Sequence, residues 1–266
     1  MTQVIFDHHG FVDHSPSEQL CGAPDAWHTT VLVFAAEGVG GVTNLKNAIA
    51  SKVSQTPGEL GKWSKRSEKY RREVVLAVRD FLPNSGAWIF ALSATERVIV
   101  ANKNMLLAEL GLIGKYREGE DAKGRPKLIF GPVTNAAGEE IELDYLESRA
   151  LMLLWIARFF VQAYETDWIQ LCARRPESVG LTWHLHSDWL VGDNDQVSAA
   201  IKLLKLVTRP FFDLRMVFAL QGDSISEYVL ADNIAGLLDQ NACGKRNDSE
   251  LNQLQNCGAL HWQKLS

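Results

Sequence analysis

Short apolar runs rich in β-branched and aromatic residues alternate along the chain with longer stretches of helical period. Gln3–Phe6 (QVIF) is apolar and ends in Asp7, a pattern that reads as a strand carrying a carboxylate at its C-terminal end. Residues 8–27 contain Gly10, Pro16, Gly22 and Pro24 and read as turn and loop. His28–Ala36 (HTTVLVFAA) is a second strand by composition. After Gly38, Gly40 and Gly41, either Thr43 or Asn44 caps a helix running to about Ser54, which Pro57 and Gly58 end. Ser67 caps a helix over about 68–82 that stops before Pro83, and Trp88–Ser93 (WIFALS) is a third strand. Thr95–Leu110 is helical by pattern, residues 114–140 are polar and rich in glycine and proline, and Glu142–Ala173 is a helical stretch apolar on several sides. The last third runs strand (Leu181–Leu190), helix (Asp195–Val207), strand (Leu214–Leu220), helix (Tyr228–Gln240), which implies a parallel pair with a crossover helix.

This order predicts an α/β fold with a mixed sheet of about five strands and flanking helices. The first strand, with Asp7, is expected to be central. The 266 residues are expected to form one domain over 1–242, with a helical insertion about 95–176, followed by a C-terminal tail over 243–266 that is weakly ordered or a late helix. Composition adds exclusions. The most apolar stretch, Ala150–Gln162, contains Arg158 and is shorter than the roughly 18 apolar residues a membrane helix needs. The N-terminus MTQVIFDHHG lacks a signal-like segment, so a cytoplasmic protein without membrane contact is expected. The four cysteines, Cys21, Cys172, Cys243 and Cys257, form no CxxC pair and read as free thiols.

A net charge of −5 argues against a protein that coats nucleic acid by bulk charge. It leaves room for a local basic surface, because Lys62, Lys65, Arg66, Lys69, Arg71 and Arg72 fall within eleven residues. This segment could track phosphates, or be a solvated helix face with Glu68 and Glu73 interleaved. Trp63 beside Lys62 could stack on a base or plug the core. The carboxylates suggest chemistry: Asp7 closes a strand, Asp188 lies near the end of another, and Asp232 sits in the first turns of a helix between Ala231 and Ala235. Acids converging from strand ends and a helix can hold Mg²⁺ or Mn²⁺, which take oxygen ligands and can serve phosphodiester cleavage. The plainer alternative is that each acid caps a helix or turn. Alternation places Thr182, His184, His186 and Asp188 on one strand face, but no third zinc ligand follows by spacing, which favours a structural or interface role for the histidines. The glycines at 38, 40 and 41 match no phosphate-cradling motif, and Ser15, Ser64 and Ser93 sit in no nucleophile elbow.

Three segments resemble one family, domain of unknown function family 3800. Ser224–Leu238 (SISEYVLADNIAGLL) resembles its closing helix, of the type leucine-x-leucine-alanine-aspartate-leucine-isoleucine-alanine-glycine. Glu59–Tyr70 (ELGKWSKRSEKY) resembles its glutamate-leucine-lysine-tryptophan-serine segment, with Gly61 as an extra residue. Val4–Gly10 (VIFDHHG) stands at its opening strand, with His8 where that family has a second acid. The resemblance implies a ribonuclease-H-like fold and a metal-dependent nuclease acting in mobile-element or antiviral-defence contexts. Carried over by residue, it implies acids at Asp7, Glu59 and Asp232; Asp188 joins them from strand position alone. The resulting expectation is a catalytic set of Asp7, Glu59, Asp188 and Asp232, a metal held by Asp7, Asp188 and Asp232, and nucleic acid contacted by Lys62, Trp63, Lys65 and Arg66. Asp7 and Asp232 are expected to share the cation, and Asp232→Asn to leave the fold intact or to raise its stability without metal. The alternative is a non-catalytic binding or assembly subunit, with a protein partner or a second copy, that keeps the fold and has lost the chemistry.

Overall fold

β-Branched and aromatic residues occupy most of β2 (Trp27–Ala35, WHTTVLVFA), and from His28 onward every residue is buried, as suits a strand with neighbours on both edges. The computed structural model describes residues 4–15, 24–35, 40–53, 60–99, 101, 116–120, 126–130, 133–134, 140–141, 152, 155–156, 179–186, 216–217 and 227–266; the side chains of 4–9, 116–141, 179–186 and 216–217 are outside the description.

On one edge of β2 lies β1 (Val4–Ser15), antiparallel from His9↔Ala35 to Ser15↔Thr29. On the other lies β3 (Ala87–Thr95), antiparallel from Trp27↔Thr95 to Ala35↔Ala87. The first part of β1 pairs in parallel with β8 (Val179–His186), and β8 pairs in parallel with the short β9 (Met216–Val217). A last strand, β10 (Leu260–Leu265), lies parallel to β3. The mixed sheet has the order β10-β3-β2-β1-β8-β9, which puts β1 inside it. β4 (Tyr116–Glu120) with β5 (Pro126–Phe130), and β6 (Val133–Thr134) with β7 (Glu140–Ile141), form separate antiparallel pairs.

Among the described residues, helices run over α1 (Gly40–Val53), α2 (Glu68–Phe81), α3 (Tyr228–Ala242) and α4 (Glu250–Asn256). Ser67 caps α2, its Oγ accepting the Tyr70 N–H at 3.3 Å, and Pro83 sits in the 3₁₀ turn that closes the helix. α3 buries Leu230, Ile234, Leu237 and Leu238, an i, i+4, i+7, i+8 stripe, against Phe11, Val31, Val33, Ile89 and Ala91 of the sheet. Each such large side chain contributes roughly 1.5–3 kcal/mol when fully buried. Val12, Leu32, Phe34, Phe90 and Leu92, on the alternate positions, are buried as well, so both faces of the central strands are covered.

Two expectations are corrected. The first strand does not end at Asp7: it continues through Gly10 to Ser15, with Phe11, Val12 and His14 buried. Pairing on both sides overrides the turn signal of Gly10 and the polar His8–His9 pair. Within 243–266, expected to be weakly ordered or a late helix, the helix is present, but the segment is not a loose tail. It supplies α4 and the edge strand β10, because Leu251, Leu254, Ala259 and Leu260 join the core. Within the span expected to be a helical insertion, residues 96–99, 101, 152, 155 and 156 are helical, but 116–141 holds the two hairpins. The helix expected at 195–207 lies outside the described residues.

Candidate functional site

Small residues on α3 let another segment approach it closely. Ala231, Ala235 and Gly236 are buried there, and a Cβ on Gly236 would overlap the Trp63 ring. Leu60–Ser67, which carries the 3₁₀ turn Trp63–Lys65, therefore lies directly on the helix. Two polar side chains of α3 fasten it. Asp232 Oδ2 accepts the Trp63 N–H at 2.7 Å, and Asn233 Nδ2 donates to the Gly61 carbonyl at 2.8 Å while keeping an i−4 bond to Val229 O at 2.7 Å. From the other side, the Tyr70 hydroxyl accepts the Gly61 N–H at 3.2 Å. Burial pushes the Tyr70 phenol above its ordinary pKa, and the charge of Asp232 adds to the effect.

The six cations of this segment divide into two groups. Arg71 turns inward: its guanidinium lies 5.4 Å over the Trp63 ring and donates to the Trp63 carbonyl at 3.3 and 3.4 Å. Arg72 pairs with Asp248 at 3.2 Å and with Glu250. Lys62, Lys65, Arg66 and Lys69 are exposed, and among the described residues no carboxylate lies within ion-pair distance of any of them. Arg66 is held 5.2 Å over the Tyr70 ring. Glu68, the acid in their midst, is engaged by Arg246 and by Arg71 at 3.8 Å.

Of the expected nucleic-acid contacts, Lys62, Lys65 and Arg66 are thus exposed, on the segment whose Trp63 N–H Asp232 accepts. Trp63 is the correction. It is 4% exposed and fills the groove on α3, so it is a core plug and not a stacking platform. Asp7 is in mid-strand, its Cα opposite Thr182 of β8, while His184 and His186 of β8 are in register with His9 and Phe11. The Asp7 side chain, Glu59 and Asp188 lie outside the described residues, so Asp232 is the one member of the acid set whose surroundings are defined. Among the described residues no group of three or more His, Cys, Asp or Glu side chains is placed to hold a metal. The Trp63 N–H also revises the expectation for Asp232→Asn. An amide keeps an acceptor but loses the charge assistance, so a loss of about 1 kcal/mol is expected instead of a gain.

Sequence reasoning missed three polar arrangements, two beside α3 and one on the other face of the sheet. Lys46 of α1 and Glu227 at the start of α3 form a buried pair at 3.1 Å, joined by Thr43 Oγ1 at 3.1 Å. Burial opposes the Glu227 charge most strongly, but the hydrogen bond and charge of Lys46, a backbone N–H and the Thr43 hydroxyl together outweigh it, and the carboxyl stays below its ordinary range. Near the other end of α3, Trp262 Nε1 donates to Ser93 Oγ at 2.9 Å, Ser93 meets Thr29 Oγ1 at 2.8 Å, and Thr29 donates to Asp239 Oδ1 at 3.4 Å. Burial pushes the Asp239 carboxyl up to about 6. On the opposite face, His14 and His28 stack at 5.6 Å, with His14 Nδ1 and Thr30 Oγ1 2.9 Å apart. A signal existed for α3 alone: adjacent Asp232–Asn233 within an apolar helix, three residues before a glycine, marks a polar docking line.

Comparisons with protein-family models, with curated proteins and with solved structures give no match to this chain. Among the described residues no helix is long and apolar enough to cross a membrane.

Proposed function

We propose that this α/β protein is a metal-dependent nuclease or phosphodiesterase of ribonuclease-H-like type, working in the cytoplasm on DNA or RNA. Asp7, Asp188 and Asp232 would hold Mg²⁺ or Mn²⁺, Glu59 would be a fourth ligand or orient water, and Lys62, Lys65 and Arg66 would face phosphates. The strand plan carries the reading. β3-β2-β1 is an antiparallel meander continued by parallel β8 and β9, with α3 packed across β1 and β2. That order and direction, with β10 added at the β3 edge, support a ribonuclease-H-like reading of the sheet. It gives the strand of Asp7 a central place and sets the helix of Asp232 over it. A divalent cation, when bound, supplies an activated water and neutralises charge on the leaving oxygen.

The test is metal binding together with cleavage. Millimolar Mn²⁺ or Mg²⁺ should raise the melting temperature, and Asp7→Asn and Asp188→Asn should remove both that shift and Mn²⁺-dependent cleavage of DNA or RNA. A wild-type protein that shows neither effect would sink the nuclease reading. The second reading, a binding or assembly subunit with a protein partner or a second copy, is favoured by one observation. Asp232 holds the Trp63 N–H, a structural task that persists without chemistry.

A further inference from the structure

We infer that Lys62, Lys65, Arg66 and Lys69 form a track that grips a nucleic-acid strand by its phosphates and does not read its bases. The inference rests on the nucleic-acid half of the proposed function and is independent of the metal. Each of these cations is exposed and, among the described residues, has no carboxylate partner; Arg71 is half-buried, and Arg72, itself exposed, is paired with Asp248 and Glu250. They follow one another along the 3₁₀ turn and the first turn of α2, which makes a row and not a pocket. A row suits a chain of phosphates, whereas a single phosphate group on a peptide calls for convergent donors. The positive end of the α2 dipole adds to the same field, and the acid of that turn, Glu68, is engaged by Arg246 and Arg71.

The track is also held in place. Trp63 fills the groove at Gly236, Asp232 and Asn233 fix the backbone on either side of Lys62, and Arg66 rests on Tyr70. The aromatic side chains that would stack on bases are occupied: Trp63 is buried under Arg71, and Tyr70 lies beneath Arg66. An anionic membrane is a poorer fit. Interfacial binding needs apolar side chains beside the cations, and among the described residues the exposed large apolar one is Phe81, at the far end of α2. With a net charge of −5 the rest of the protein repels a polyanion, so the grip is local and steeply salt-dependent.

The experiment is fluorescence anisotropy in EDTA, where no metal-dependent cleavage occurs, with labelled oligothymidylate, a mixed-sequence oligonucleotide and its duplex over a salt series. The wild-type protein should bind all three within a few-fold of one another. For single strands log K should fall against log salt with a slope of about −3, from about four phosphates at ~0.7 each. Lys65→Gln with Lys69→Gln should make that slope shallower by about 1.4, and the fourfold glutamine variant should lose binding at least about tenfold. The circular dichroism spectrum and melting temperature of each variant show whether it is folded. A slope and affinity unchanged in a folded fourfold variant overturn the track. So do discrimination between the oligonucleotides that persists at every salt concentration, and binding to phosphatidylserine vesicles with none to oligonucleotides. Because binding is read in EDTA and cleavage in Mn²⁺, a failed track with intact Mn²⁺-dependent cleavage leaves the nuclease reading standing, and the reverse result leaves the track.

Discussion

Lys62–Lys69 and Arg71–Arg72 are adjacent, both basic, and put to opposite uses. The helix period decides which is which. Val74, Val75 and Val78 form the buried stripe of α2, and Arg71 and Arg72 precede it by three or four residues, at the border of the packed side. There Arg71 meets the Trp63 carbonyl and Arg72 meets Asp248 and Glu250. Lys69 is on the outward face, and Lys62, Lys65 and Arg66 belong to the turn before the helix. A basic run counted in sequence therefore overstates the charge available to a ligand. What reaches a partner is the part that no buried carboxylate has already claimed.

The sharpest way to break this contrast is to remove the plug beneath both groups. Trp63→Ala should cost about 3–5 kcal/mol, measured by chemical denaturation, because a large buried ring is lost and Arg71 loses the face it covers. Gly236→Ala attacks the same contact from α3 and should cost about 1–3 kcal/mol, since the ring must move to admit the methyl group. In either variant the row from Lys62 to Lys69 should lose its affinity for polyanions although no cation has been removed.

Next in size is the inward group. Arg72→Ala leaves Asp248 and Glu250, whose side chains are 5% and 9% exposed, with fewer donors. Arg72 is itself half-exposed, which tempers the loss to about 1–2 kcal/mol. The pH dependence has a definite sign. The Arg72 hydrogen bond lowers the Glu250 carboxyl, while at Asp248 burial works upward but is outweighed by hydrogen bonds from Arg246 and Asn241. Both groups are lowered on folding, so their stabilisation is present above the ordinary carboxylate range and lost as the pH falls through the lowered values. Arg72→Ala should flatten that acid-side loss in melting curves.

How far these features were legible from sequence depended on how local their causes are. The Ser67 cap, the Pro83 stop and the Leu230–Ile234–Leu237 stripe follow from neighbours in the chain, and were readable. The extension of β1 past Asp7 depends on tertiary pairing, with β2 along most of its length and with distant β8 as far as Phe11, and the strand at 260–265 depends on β3, more than a hundred residues away; neither was readable. In the basic run the cluster was visible, but its division was not, because Asp248 and Glu250 stand 176 and 178 residues from Arg72. Trp63 was open to two readings, and the small residues of α3 decided for the buried one. Of the acids, Asp232 shows its surroundings, a backbone N–H first of all, and Asp7 its central strand.

Asp239 sharpens the contrast from the side of the acids. Asp248 has arginines beside it; Asp239, on α3, has the Thr29 hydroxyl and the more distant charge of Lys245, and burial raises its carboxyl to about 6. Here the sign is reversed. Between the unfolded value and about 6 the folded chain binds the proton more tightly, so stability falls as the pH rises through that window. Asp239→Asn should therefore raise stability at neutral pH, by on the order of 1 kcal/mol after allowance for partial exposure, and should flatten the profile across the window. A variant that loses stability at neutral pH would show that the Thr29 link outweighs the burial of charge.

The smallest effect is expected where the comparison began. Lys65→Gln and Lys69→Gln should each change stability by no more than about 0.5 kcal/mol, because both side chains are exposed and neither has an ion-pair partner among the described residues to lose. The near-zero value is informative because the chain keeps a charge-matched control three residues further on. Arg72→Ala removes the same unit charge and should cost several times as much. If all three substitutions proved equally mild, the buried carboxylates would not be drawing on Arg72, and the run would be one uniform cationic surface. If Lys65 or Lys69 proved as costly as Arg72, that lysine would have a structural partner in solution and could not belong to a surface open to phosphates. A large gap between the outward and inward groups in stability, with the opposite gap in polyanion affinity, is the pattern that two separate uses of one basic run require.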